Sequence, residues 1–214
     1  MSDVHTTQLI QDLAKGLRPT LRRMPRLLLA MAGGAAVSLV VLWLWHGFRE
    51  DLGLAVYSGA LWMKWIFALA TAVAAFGLCA RVARPESGPG WWLAAVLVPP
   101  LFAAGMACIE LWGVPAAQPI VVEREHSALE CLWFIFALSV PLLLAVLWAF
   151  RRFAPTRFRL AGFSGGLLAG SVSAAVYSLH CVETSAAFIA VWYGLGMFLP
   201  SALGLLLGPR LLRW

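Results

Sequence analysis

Apolar residues in this chain do not alternate with polar ones. They come in six long runs, roughly Leu27–His46, Tyr57–Ala80, Trp91–Trp112, Leu129–Phe150, Leu160–Leu179 and Ala186–Leu207. A helix of about 20 apolar residues crosses the hydrocarbon core of a bilayer. Inside lipid a helix also satisfies its own backbone N–H and C=O groups, which an open strand does not. The pattern predicts an all-α integral membrane protein, with six transmembrane helices filling residues 27–214.

A different pattern precedes the first run. Leu9, Ile10, Leu13 and Leu17 fall at helical spacing, with Gln8, Gln11, Asp12, Lys15 and Arg18 on other faces. This predicts a short amphipathic helix within residues 1–26, ending near Pro19. Two settings suit it: the surface of the inner leaflet, or the groove of a protein partner. The polar, basic stretch before Leu27 is too long for the basic region of a cleaved signal peptide.

Composition agrees with the runs. Of 214 residues, 62% are hydrophobic and only 12% charged, whereas soluble domains run near ~45–50% apolar and ~25% charged. Eleven Trp suit a chain with two membrane interfaces. Soluble, collagenous, coiled-coil and disulfide-stapled classes are excluded.

The net charge of +6 acquires meaning only when divided by side. With the N-terminus in the cytoplasm, thirteen of the sixteen Lys and Arg lie inside, among them Lys15, Arg18, Arg22, Arg23, Arg81, Arg151 and Arg210. Arg49 and Arg124 lie outside, and Lys64 lies within a span. This bias places both termini in the cytoplasm. The basic residues cap apolar runs and form no continuous face, so direct contact with nucleic acid is not expected.

Ionisable residues within spans are few. Lys64, between Trp62 and Trp65, reads as a lysine snorkelling to an aromatic belt, with a pair to Glu110 as a secondary reading. The middle of the bilayer holds little that could form a transport path. A small transporter or channel for a metal or small solute is therefore the alternative function, and a structural subunit of a larger complex is another. Gly162, Gly166 and Gly170 make one face of the fifth span smooth, which predicts close helix packing. Self-association through the same face is also compatible with the spacing. No nucleophile elbow, Walker loop or paired intramembrane acid is present, so an enzyme is not expected.

The outer side carries most of the candidate chemistry. Cys131 begins the fourth span beside Glu130 and near His126, and Cys181 lies in the string His180-Cys181-Val182-Glu183 between the last two spans. Two thiols facing an oxidising compartment can form a disulfide or bind a thiophilic ion as thiolates. His126, Glu130, His180, Glu183 and Cys108 are auxiliary candidates for such an ion. The alternative is that both thiols pack as small apolar side chains.

The stretch from Ser178 through His180-Cys181-Val182-Glu183 to Trp192-Tyr193-Gly194, ending Gly208-Pro209-Arg210, resembles the NrsF-like membrane anti-sigma factors of proteobacteria. So do the opening residues Leu9 to Arg23 and the Glu130-Cys131 start of the fourth span. The resemblance covers essentially the whole chain. It implies a six-span inner-membrane protein that holds an extracytoplasmic-function sigma factor inactive at the cytoplasmic face. It further implies release of that factor on heavy-metal or oxidant stress through a periplasmic cysteine pair, here Cys131 and Cys181. On this reading Leu9, Ile10, Leu13, Leu17, Arg18, Arg22 and Arg23 contact the sigma factor, and residues 27–214 form the membrane domain. No cofactor is required; a thiophilic metal ion could bind transiently at the cysteines. The expected partners are the sigma factor and the bilayer. The chain departs from other anti-sigma families in lacking a soluble HxxxCxxC zinc domain, since His5 stands alone.

Overall fold

In a membrane, helices associate by close packing more than by hydrophobic drive, so small residues mark the interfaces. The computed structural model describes residues 8, 24–45, 47, 52–57, 59–84, 88–113, 125–153 and 155–213, which form helices joined by turns and short irregular stretches and contain no strand. The predicted amphipathic helix, including Leu9, Ile10, Leu13, Leu17, Arg18, Arg22 and Arg23, lies outside the described residues. So does the connection at 114–124.

The long helices are α1 (Met24–Trp45), α2 (Gly59–Val82), α3 (Val98–Gly113), α4 (Glu125–Phe150), α5 (Phe158–Tyr177) and α6 (Gly194–Leu211). Short helices at Leu52–Ala55, Trp92–Ala95 and Ala186–Phe188 precede α2, α3 and α6. Between Ala186–Phe188 and α6, residues Ile189–Tyr193 form a π-helical turn. Six helical segments are long and apolar enough to cross a membrane. They coincide with the six runs to within a few residues, so the chain is built as a multi-pass membrane protein.

Glycine decides which helix sits in the middle. α5 is the most enclosed span and packs against α1, α2, α4 and α6. A Cβ on Gly162 would overlap the Gly204 carbonyl, and one on Gly166 would overlap the backbone at Pro200 and Ser201. At Gly170 it would lie 2.8 Å from Met197 Cα. The smooth stripe read from spacing therefore lies against α6 of the same chain. Gly204 and Gly208 complete the contact from the other side, against Gly162 and Phe158.

The remaining spans dock around this pair. α1 rests on α4, where Gly34 leaves space for Leu142. The Ser38 hydroxyl lies 3.0 Å from the Gly34 carbonyl of its own helix and 2.9 Å from the Leu138 carbonyl of α4. The third span is the loosest: few of its residues are buried, and Leu101, Phe102, Ile109 and Trp112 are exposed to what would be lipid. Between it and α2 runs an open apolar groove of about 570 Å³, walled by Trp62, Trp65, Leu69, Trp92 and Pro99. At the end of the bundle opposite Cys181, Arg151 Nε donates to the Leu211 carbonyl at 2.7 Å. Arg152 there stands 5.0 Å over the Trp148 ring.

Candidate functional site

The turn between α5 and α6 is where the six spans meet through polar contacts. Residues 178–185 leave α5 through a last bond from the Cys181 N–H to the Tyr177 carbonyl at 3.1 Å and enter the last span at Ala186. Ser185 caps that entry, its hydroxyl accepting from the Phe188 N–H. Every other span reaches this turn or the first residues after it.

From α1, the Gly47 carbonyl just beyond the helix lies 3.2 Å from His180 Nδ1. Two consecutive residues of α2 grip the turn: Lys64 Nζ donates to the Cys181 carbonyl at 2.8 Å, and Trp65 Nε1 donates to Ser178 Oγ at 2.6 Å. Glu110 of α3 accepts from the Ala187 N–H at 2.9 Å. α4 contributes Cys131, whose side chain shares a hydrogen bond with that of Cys181.

Cys131 and Cys181 are both buried, 1% and 6% exposed, and both are free thiols. Around them stand aromatic rings. Phe134 stacks on Tyr177 at 6.0 Å with planes 7° apart, Trp45 meets Phe134 edge-on at 5.9 Å, and Tyr177 lies 6.4 Å from Tyr193. The Tyr193 hydroxyl is buried without an ordinary hydrogen-bond partner, and the sulfur beside it is that of Cys181. Tyr193 closes the π-helical turn, an irregularity often found at functional sites because the extra residue re-aims a side chain.

The electrostatics of the turn favour a thiolate at Cys181. Its thiol is lowered below the ordinary range, first by the hydrogen bond from Cys131, then by the Lys64 ammonium and the Tyr193 hydroxyl, against the opposing effect of burial. A thiolate is the nucleophilic and metal-binding form of cysteine. A thiolate in hydrogen-bonding contact with a second thiol can close to a disulfide on two-electron oxidation, or bridge a thiophilic ion through both sulfurs.

The sequence-based candidates distribute as follows. Cys131 and Cys181 come together, with His180 on the same turn. Glu183, also on the turn, acts electrostatically on Cys131. Glu130 is exposed, as is Cys108 on α3. The His126 side chain lies outside the described residues. Among the described residues no group of three or more His, Cys, Asp or Glu could hold a metal ion. Cys79 is buried at the far end of α2 beside Ser164.

One expectation is corrected. Lys64 does not snorkel to the surface: it is 1% exposed and spends its ammonium on the Cys181 carbonyl. The Glu110 carboxylate accepts from the Ala187 N–H at the start of the last span. Sequence reasoning did not single out Trp65, Ser178, Tyr177 or Tyr193. Only Ser178 and Tyr193 carried any signal, as members of the strings that flank Cys181.

The comparisons with known proteins agree with this architecture. The family model described as "Negative regulator of sigma F" matches residues 13–214. A protein of Azospira oryzae named "Probable anti-sigma-F factor NrsF" is 41% identical over 194 residues, covering 88% of this chain and 89% of its own. The "Anti-sigma-F factor NrsF" of Caulobacter vibrioides is 36% identical over 209 residues, covering 96% of each chain. No solved structure matches. That family is regulatory and not catalytic in name. With a match over nearly the full length, and relatives above one-third identity, the chain belongs to the NrsF family of negative regulators of sigma F.

Proposed function

We propose that this protein is an inner-membrane anti-sigma factor that holds an extracytoplasmic-function sigma factor inactive at the cytoplasmic face. Release follows a change of state at Cys131 and Cys181 on the periplasmic side. The observation that carries this reading is the contact of the two thiols, one from α4 and one from the α5–α6 turn, in a chain of the NrsF family. Residues 1–26 supply the sigma-binding segment, with Leu9, Ile10, Leu13 and Leu17 as its apolar face and Arg18, Arg22 and Arg23 as its charge.

The signal is either an oxidant or a thiophilic heavy-metal ion. Oxidation passes two electrons from the thiol–thiolate pair to the oxidant, releases the one remaining thiol proton and leaves a disulfide. An ion displaces the remaining thiol proton and bridges the sulfurs. Either bond replaces a thiol–thiol hydrogen bond and draws α4 toward the turn. Because α5 and α6 touch backbone to backbone, they move together, and α4 shifts against a rigid pair. α4 and α6 are tied at their far ends through Arg151 and Leu211, so the shift reaches the side where the sigma factor sits. A switch of this kind requires that the signal bind one arrangement better than the other.

The test is a sigma-dependent transcriptional reporter in cells carrying Cys131→Ser or Cys181→Ser. The reading expects the response to cadmium ion or to peroxide to be lost or locked in either variant. A response identical to that of the parent retires the role of the pair.

A further inference from the structure

A lysine in a membrane-spanning helix is a functional candidate by default, because its burial is costly unless the site uses it. Lys64 is almost wholly buried, and its ammonium ends on a backbone carbonyl and not at the surface. A backbone carbonyl does not of itself require a charged donor. What distinguishes this carbonyl is that it belongs to Cys181.

The neighbouring residue strengthens the point. Trp65 donates to Ser178 Oγ at 2.6 Å, three residues upstream on the same turn. Successive residues of a helix point in different directions, so Lys64 and Trp65 take hold of the turn at two places. The Cys181 N–H still bonds back to the Tyr177 carbonyl of α5 at 3.1 Å, but from Cys181 to Ser185 the turn is irregular, so the carbonyl side of Cys181 has no helix to hold it. The partner thiol is fixed independently, on regular helix in α4. With the N–H side of Cys181 tied to α5, α2 supplies the restraint on its carbonyl side through Lys64.

We propose that Lys64 is the positioning residue of the Cys131–Cys181 pair. With Trp65 it forms a clasp from α2 that holds the turn so that the Cys181 sulfur meets that of Cys131. This deepens the proposed function and rests on the reading of the two thiols as the responsive pair. The clasp also makes α2 a member of the sensing unit, although it bears neither of the two cysteines.

The experiment uses the full chain purified in detergent and phenylarsine oxide, a trivalent arsenical that is held firmly only by two thiols together. Lys64→Met keeps the length of the stem and removes the donor; Lys64→Arg restores a charged donor. Ser178→Ala, a small change that breaks the Trp65 contact, serves where Lys64→Met does not fold. Monofunctional alkylation and Cys131→Ser set the baseline for single thiols. Expected are a tenfold or greater loss of arsenical affinity in Lys64→Met, recovery to within about threefold in Lys64→Arg, and a several-fold loss in Ser178→Ala. Parental affinity in Lys64→Met overturns the proposal, and so does an Arg variant that folds yet captures as poorly as Met. If Lys64→Met does not fold, parental affinity in Ser178→Ala overturns it. Arsenical capture is read on purified protein, so its outcome is independent of whether the reporter shows the cysteines to carry the signal.

Discussion

Cys131 and Cys181 share a side-chain hydrogen bond although one begins a span and the other lies in the turn between two later ones. With Lys64 beside it, that bond favours the ionised form of Cys181 and holds its thiol below the ordinary range. A lowered thiol is ionised above its own value and loses its charge as pH falls through it. Alkylation of Cys181 by a small neutral reagent should therefore stay nearly constant through the range where an ordinary thiol titrates and fall only on further acidification. The measurement is a pH profile of labelling resolved by cysteine in a mass spectrometer. In Cys131→Ser the largest stabilising contact is altered, and the fall should move to higher pH. A profile that rises tenfold per unit through pH 7 to 8 in the parent contradicts the assignment.

The α5–α6 contact should tolerate no added methyl groups. Gly162 and Gly166 meet backbone atoms of α6, which have no rotamer to yield. Overpacking of a tight interior costs typically about 1–3 kcal/mol. Gly162→Ala or Gly166→Ala should fall at or above the upper end of that range. Gly33 and Gly105 have nothing within 4 Å of a Cβ. Alanine at either should be neutral or slightly stabilising, because glycine is a poor helix former. Thermal midpoints in one detergent compare the four variants directly.

α3 should depend on Glu110 for its place. Little of this span is buried, and its carboxylate tie to the Ala187 N–H is a polar link to the start of the last span. Glu110→Ala should raise backbone hydrogen exchange in residues 98–113 and around 186–188 while leaving α5 protected, since weakly packed elements open first. Glu110→Gln keeps an acceptor and should retain most of the protection. Equal exchange in parent and Ala variant contradicts the tie.

Much of this architecture is written locally. Each span is a run of apolar residues of membrane length, so six helices could be read without knowing how they pack. The smooth face at Gly162, Gly166 and Gly170 was equally legible, because spacing alone puts three small residues on one side of a helix. Its partner was not, since a glycine stripe does not say which backbone it meets. Lys64 was read wrongly for a related reason. Near the end of an apolar run a lysine looks like one that snorkels. What decides otherwise is a carbonyl 117 positions away in sequence, and no local pattern encodes that. Tyr193 belongs to a π-helical turn inside an unbroken apolar run, and no break in the run announces it. The two cysteines were legible as residues on one side of the membrane. Their contact depends on how α4 meets the α5–α6 turn.

The central claim is that the membrane domain holds a sigma factor through the first 26 residues. Co-purification tests it most directly: the full chain and a version lacking residues 1–26 are each extracted in detergent with reduced thiols and captured from cells that express their own extracytoplasmic-function sigma factors. The account predicts that the full chain brings down one of those sigma factors, and that the shortened chain folds and brings down none. Absence of any sigma factor from the full chain, or equal recovery by the shortened one, contradicts it.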